Sequence, residues 1–297
     1  MSLVLDRLRP WILAIRPKTL TAALVPIAVG TALSYSNTGR VHLGLSFFAL
    51  MSSIFIQIGT NLINDALDFK KGADTSERLG PQRVTQMGFL SISQVWWGGM
   101  SCFLLAAMAA LPLLWEGGTP ILVIGLISLV SAYAYTGGPY PLAYLGLGDL
   151  FVLIFFGWVS VLGMVYLHTG KVHFHTWIAG SQIGLLATVL IAINNLRDHL
   201  TDRLAQKKTL AVRCGLSFVR AEIMALCLLP FSGGIYWYQQ GFKLAAILPF
   251  LSLPLALSLI QKVQTTEPSQ QYNQFLAQGA ALHFIFGVLL SFGLCFP

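Results

Sequence analysis

Apolar positions run in long blocks along this chain, and polar ones are confined to the gaps between them. Nine blocks come near the roughly 20 mostly apolar residues that a helix needs to cross a bilayer: residues 11–35, 42–65, 93–115, 119–135, 149–168, 173–194, 217–238, 243–260 and 275–296. Apolar runs of this length predict helices set in lipid, not strands and not the one-sided stripe of a soluble helix. The pattern predicts an all-α membrane protein, a single domain over residues 1–297 with nine transmembrane helices. Most gaps are short. Two are long, 66–92 after the second helix and 196–216 after the sixth, and long connections in a compact protein tend to carry function.

Composition agrees with this picture. Of the 297 residues, 56% are hydrophobic and only 10% are charged, where a soluble domain carries about a quarter. Mean hydropathy is +0.72. The lipid bilayer is therefore the solvent for most of the chain.

Charge adds an orientation, because Lys and Arg gather in cytoplasmic loops. With the N-terminus in the cytoplasm, all of the 18 basic residues except Arg40, Lys171 and Lys243 fall on the inner side, and so do both long connections. The first block follows Arg7 and Arg9. It is too long for a signal-peptide core and shows no small-residue cleavage site, so it reads as the first span. The net charge of +7 is accounted for by this inward bias and by a site for an anionic ligand, with no nucleic-acid partner. Cys102, Cys214, Cys227 and Cys295 have no metal-type spacing and are expected as free thiols.

Acidic residues cluster in the same two gaps. Of the 11, Asp65, Asp68, Asp74, Glu77, Asp198 and Asp202 lie in or beside them, and Asp149 opens the fifth block. At about 100° per residue, Asn61, Asp65 and Asp68 share one face of the second helix, and Asn64 stacks on Asp68 at i, i+4. Asp74 follows Gly72, beyond the expected helix end. After the sixth helix, Asn195, Asp198 and Asp202 share a face, and Asn194, Asp198 and Asp202 stack at successive i, i+4 steps.

Carboxylates at this density repel one another unless a cation sits among them. Hard divalent ions take oxygen ligands, and Mg²⁺ commonly uses one or two carboxylates plus substrate phosphates. Two such stripes facing each other suit a diphosphate clamped between metal ions. Lys70, Lys71, Arg78, Arg83, Arg203, Lys207 and Lys208 stand ready to complete its neutralisation. Arg16-Pro17-Lys18 reads either as an inner-side anchor or as a further phosphate contact. The Gly/Pro-rich run 133–144 reads either as the lining of an acceptor pocket or as an interfacial aromatic belt. About the last 80 residues carry little beyond helix packing. A secondary transporter is the main alternative class, but transporter sites lie near the bilayer midplane, and these carboxylates lie at helix ends on one side.

Three stretches carry a resemblance to a known family: N-L-I-N-D-A-L-D-F-K-K-G-A-D-T from Asn61, G-P-Q-R-V-T-Q-M-G from Gly80, and N-N-L-R-D-H-L-T-D-R-L-A-Q-K-K-T-L-A-V-R from Asn194. The chain resembles the UbiA superfamily of intramembrane aromatic prenyltransferases, and within it the branch acting on 1,4-dihydroxy-2-naphthoate. The last stretch and Y-T-G-G-P-Y-P-L-A-Y-L-G-L-G-D from Tyr135 are similar to the cyanobacterial and plastid type, which uses phytyl diphosphate. Where many members place a third Asp four residues after the second, this chain has Gly72, with Asp74 two residues later.

The resemblance implies a UbiA-like bundle in the cell inner membrane or the thylakoid, with its active site at the cytoplasmic face. It implies transfer of a phytyl or other polyprenyl group from its diphosphate to the naphthoate, or to 2-carboxy-1,4-naphthoquinone, with loss of CO₂, in phylloquinone or menaquinone formation. Another aromatic acceptor is the nearest variant of this reading. Mg²⁺ is the implied cofactor, held by Asn64, Asp65, Asp68 and Asp74 on one side and by Asn194, Asp198 and Asp202 on the other. Asp65, Asp68, Asp198 and Asp202 are the implied catalytic carboxylates. Lys18, Lys71, Arg78, Arg83, Lys207 and Lys208 are the diphosphate-binding candidates. Asn61, Tyr133, Tyr135 and Asp149 are the acceptor-pocket candidates.

Overall fold

The computed structural model is helical, with no strand among the described residues, 2–74 and 78–296. Side chains are described from Leu8 onward. Glu77 and the side chain of Arg7, both named above, lie outside them.

In chain order the helices are α1 (Ser2–Ile15), α2 (Thr21–Thr38), α3 (Leu43–Lys70), α4 (Ile92–Ala134), α5 (Gly148–Thr169), α6 (Phe174–Arg197), two short cap helices α7 (His199–Leu204) and α8 (Leu210–Cys214), then α9 (Leu216–Gln239), α10 (Lys243–Thr265) and α11 (Tyr272–Cys295). Seven are long and apolar enough to cross a membrane: α3, α4, α5, α6, α9, α10 and α11. The pair Leu8–Thr19 and Thr21–Thr38, bent by 47°, raises the number to eight if counted as one span.

Two departures from the sequence pattern have local causes. Block 11–35 is not one straight helix. Arg16 precedes a proline, which disfavours the helical region for it, and it sits at φ 56 before the single turn Pro17–Thr19. Blocks 93–115 and 119–135 run on as α4, which starts on a Ser91–Gln94 capping box. Its 43 residues would reach roughly 65 Å at about 1.5 Å each, twice a bilayer's hydrocarbon core. The helical path breaks within it at Gly118 (φ 60, ψ −147), just before Pro120.

Helix α6 is the axis of the bundle: 72% of its apolar window is buried, against 17% in α3 and α4. Large apolar side chains such as Trp115, Leu104 and Val130 on α4 face outward, as lipid contact requires. Without water to drive helices together, close backbone approach does so. A Cβ on Gly157 of α5 would lie 2.5 Å from the Gly180 carbonyl oxygen and 2.7 Å from Gly184 Cα on α6. Residues Leu153–Val159 of α5 form a π-helical segment, a distortion that often marks functional sites, and its inner face borders the cavity described next.

Candidate active site

The C-terminal ends of α3 and α6 and the connections 71–91, 135–147 and 198–209 meet at one end of the bundle. Lys71 Nζ donates to the Thr136 carbonyl at 2.5 Å. The Lys208 amide donates to the Tyr144 carbonyl at 3.0 Å. These ties hold three connections, remote in sequence, as one polar cap.

The first motif is spread over several jobs. Asp65 is buried, and its carboxylate accepts from the Val84 and Thr85 amides, both at 3.3 Å, and from the Thr85 hydroxyl. It folds the connection back onto α3. Asp68 accepts from the Tyr144 hydroxyl at 2.9 Å. Lys71 Nζ lies 4.3 Å from the centre of the Tyr144 ring, a cation–π contact. Asn64 accepts from the Thr136 hydroxyl and reaches the cavity wall. Asp74 is buried, pairs with Arg78, and has Arg83 Nε at 3.5 Å.

The second motif begins where α6 ends. Asp198 is the last cap of α6, and its carbonyl accepts the Asp202 amide at 2.8 Å, so the i, i+4 relation survives a break between α6 and α7. Arg197 grips Asp198 with two hydrogen bonds, Nε to Oδ1 at 2.8 Å and Nη2 to Oδ2 at 2.7 Å. Asp202 has Lys207 Nζ at 3.7 Å. The two motifs meet through Arg78, whose Nη2 lies 3.6 Å from Asp198 Oδ2 while its Nη1 holds Asp74.

Burial and charge compete in this cap. Burial pushes Asp74 and Asp202 each up to about 6, against the pull of Arg78 and Lys207 respectively. Burial would raise Asp198 too, but the hydrogen bonds and charge of Arg197 outweigh it and hold the carboxyl below its usual range. Burial tends to lower Lys207, yet Asp202 and Asp68 leave it above the ordinary lysine value. Among the described residues, no three His, Cys, Asp or Glu side chains converge into a metal cage. The donor set is instead carboxylate and amide oxygen interleaved with cations. Asp74 Oδ2 is buried without a hydrogen bond and, among the described residues, faces only the Arg83 charge, at 3.5 Å, so its lone pairs are not all taken up by donors. This fits an ion whose shell is completed by substrate oxygens and water.

Beneath the cap lies a cavity of about 230 Å³. Asn64 and Asn194 stand in its wall, so one amide of each motif faces the same space. Phe151, Phe155, Phe156 and Tyr135 supply aromatic surface. Asn61 also borders it, its amide donating to the Ile15 carbonyl at 2.9 Å and to the Thr19 hydroxyl at 3.0 Å.

Other residues lie elsewhere. Lys18 and Lys208 are exposed, and the left-handed turn brings Arg16, not Lys18, to the cavity wall, with Nη2 3.3 Å from the Asn61 carbonyl. Tyr133 packs behind the wall with Ile63 and Phe103. Asp149 sits outside the wall and accepts from Asn195 Nδ2 at 3.2 Å. Neighbouring amides Asn194 and Asn195 thus point to different partners, as a helix of 3.6 residues per turn demands.

The pattern of residues did not single out Arg197, Tyr144, Thr136, Thr85 or Asn273. Tyr144 closes the Gly/Pro-rich run 133–144. Arg197 reads from the sequence only as one of the inner-side charges. Asn273, in the stretch expected to carry little beyond packing, accepts from Arg197 Nη1 at 2.7 Å.

A helical bundle of membrane-crossing length, capped at one end by alternating carboxylates and cations over a partly aromatic cavity, defines an integral multi-pass membrane protein. Residues 23–286 match the UbiA prenyltransferase family, and the chain belongs to that family. It is 34% identical to a 1,4-dihydroxy-2-naphthoate octaprenyltransferase of Haemophilus influenzae, over 99% of this chain and 98% of that one. It is 30% identical to a 2-carboxy-1,4-naphthoquinone phytyltransferase of Synechocystis, over 95% and 92% respectively. Its fold is that of a UbiA homologue from Archaeoglobus fulgidus solved bound to DMAPP and Mg²⁺, with a TM-score of 0.61 and 14% identity over 95% of this chain and 99% of that one.

Proposed function

We propose that this protein transfers a prenyl group from its diphosphate to 1,4-dihydroxy-2-naphthoate, releasing CO₂ and diphosphate, in menaquinone or phylloquinone formation. The observation that carries this reading is the shared cavity. Amides from both motifs open onto it, and the carboxylates and cations of the cap follow them along the same two helix ends. Relatives with naphthoate-prenylating names over nearly the whole chain support the acceptor.

Asp68, Asp198 and Asp202, with Asn64 and Asn194 beside them, are the residues suited to hold Mg²⁺. Asp74, between Arg78 and Arg83, adds a further carboxylate, and Asp65 acts through the loop it anchors. When bound, the ion supplies charge that stabilises diphosphate as a leaving group. Arg78, Arg83, Lys71 and Lys207 complete that neutralisation. The bond between the prenyl C1 and the diphosphate oxygen breaks, and its electron pair leaves with the diphosphate. Phe151, Phe155 and Phe156 line the space that receives the resulting allylic cation, and aromatic rings there can stabilise its charge. The ring carbon bearing the carboxylate attacks it. The bond to the carboxylate then breaks, and its electrons restore the aromatic ring. The dihydroxy form is electron-rich enough for this attack, and the step balances without a reductant.

At about 230 Å³ the cavity is below the ~300–1,000 Å³ of clefts that enclose drug-sized ligands. It suits the acceptor ring and the reacting end of the prenyl chain. The rest of the tail lies in lipid, where each buried CH₂ contributes about 0.8 kcal/mol. Nine spans follow if α4 crosses twice about Gly118 and the bent first pair crosses once; the N-terminus and the cap then share one side, and the excess of Lys and Arg there supports reading it as the cytoplasmic one.

The test is purified protein given the naphthoate, phytyl or octaprenyl diphosphate and Mg²⁺. Prenylated product is expected, and EDTA abolishes it. Asp68→Asn and Asp198→Asn each lower kcat/KM by about 10²–10³. Full activity in both variants overturns the assignment. Substrate uptake into vesicles without chemical turnover would favour a transporter.

A further inference from the structure

We propose that Asn273, at the start of the last membrane helix, is a positioning residue for the diphosphate site. It locks Arg197 onto Asp198 and tethers the connection that carries Arg78. This inference deepens the functional reading above and rests on it.

Three segments far apart in sequence meet at this amide. Arg197 is 1% exposed, and each of its three guanidinium nitrogens is engaged. Nε and Nη2 grip Asp198, and Nη1 donates to Asn273 Oδ1 at 2.7 Å. The other end of the same amide, Nδ2, donates to the Leu79 carbonyl at 3.1 Å. The next residue lies directly on the guanidinium. A Cβ on Gly80 would sit 2.6 Å from Arg197 Nη2 and 2.9 Å from Cζ, so only glycine lets the connection settle there.

The chemistry asks for this side chain. One partner is a cation that needs an acceptor, and the other is a carbonyl that needs a donor. Among residues of this size a carboxamide supplies both, whereas a carboxylate supplies only the first and leucine neither. A planar guanidinium held at Nη1 has no freedom to swing away, so both oxygens of Asp198 are fixed in its plane. Asp198 in turn has Arg78 Nη2 at 3.6 Å, and Arg78 stands one residue before the tethered Leu79 carbonyl. One amide on α11 thus sets both the carboxylate of the second motif and the arginine that links it to the first.

The test compares wild type, Asn273→Asp and Asn273→Leu, all full length in lipid nanodiscs. Amide hydrogen exchange over 78–90 is measured without substrate, and kinetics with prenyl diphosphate, naphthoate and Mg²⁺. Asn273→Asp keeps the acceptor for Arg197 and severs the loop. Exchange over 78–90 should quicken about tenfold and KM for prenyl diphosphate rise about tenfold, with kcat and the naphthoate KM within twofold. Asn273→Leu should add a several-fold rise in the Mg²⁺ concentration giving half-maximal activity, because Asp198 is released as well.

A purely packing role predicts a different result. Both variants would then lower the amount of folded protein while the surviving fraction keeps wild-type KM, Mg²⁺ dependence and loop exchange, and that outcome overturns the proposal. The exchange arm needs no turnover. A wild-type enzyme inactive on naphthoate therefore counts against the functional reading alone, while unchanged exchange in Asn273→Asp counts against the tether alone.

Discussion

Tyr144 joins both halves of the cap through one residue. Its hydroxyl donates to Asp68, its ring lies under Lys71, and its carbonyl accepts the Lys208 amide. Tyr144→Phe keeps the ring and loses only the hydroxyl. A hydrogen bond to a charged group contributes about 1.5–3 kcal/mol, so kcat/KM should fall about tenfold or more with little change in thermal midpoint. Tyr144→Ala, which also removes the cation–π contact, should fall further. Protonation gives a second check. Asp74 and Asp202 are each raised to about 6, so the folded state holds protons that the unfolded chain, with an ordinary Asp value of 3.8, releases earlier. Ionising them as pH rises from about 4 through 6 therefore costs stability. Mg²⁺ favours the ionised forms, so its stabilisation should be larger at pH 7.5 than at pH 5, read as the shift in thermal midpoint at fixed Mg²⁺. An equal shift at both pH values would rule out these carboxylates as the linked groups. The carboxylates were legible in the sequence because acids beside apolar spans are rare and costly. The hydrogen bonds of Asp65 to the loop were not. A helical wheel gives the direction of a side chain but not the loop that returns to meet it, here Val84 and Thr85. Asn273 was hidden for a similar reason, since its partners lie 76 and 194 residues away.

Helices were largely readable from the apolar blocks, but only one of two interruptions was. The gap between blocks 93–115 and 119–135 falls where Gly118 breaks α4, whereas Arg16 lies inside block 11–35, where the apolar count runs on. In both places the conformation was set by a backbone rule, a proline nearby and a residue at positive φ, more than by hydropathy. The approach of α5 to α6 is similarly a backbone matter. Gly157→Leu places a side chain where the Gly180 carbonyl and Gly184 Cα already stand. Overpacking of this kind costs about 1–3 kcal/mol. It should lower the thermal midpoint and also activity, because the π-helical segment at the cavity wall moves with α5. A variant with unchanged midpoint and turnover would show that the two helices have slack at this crossing.

For the whole molecule, the inward charge bias and the cap at one end of the bundle make a statement about sidedness. With the four native cysteines replaced by serine, Lys171→Cys should react with an impermeant thiol reagent from the outer side of spheroplasts, and Arg203→Cys only after permeabilisation. The reverse pattern would invert the proposed topology. The cap has one more consequence, for how the protein is made. Arg78 and Arg197 lie against Asp74 and Asp198, so the chain brings its own counter-charges to the carboxylates it gathers. A newly inserted polypeptide can therefore draw these acids together before any ion or substrate reaches them. Assembly of the cap therefore needs no metal ion to offset the repulsion between Asp74 and Asp198.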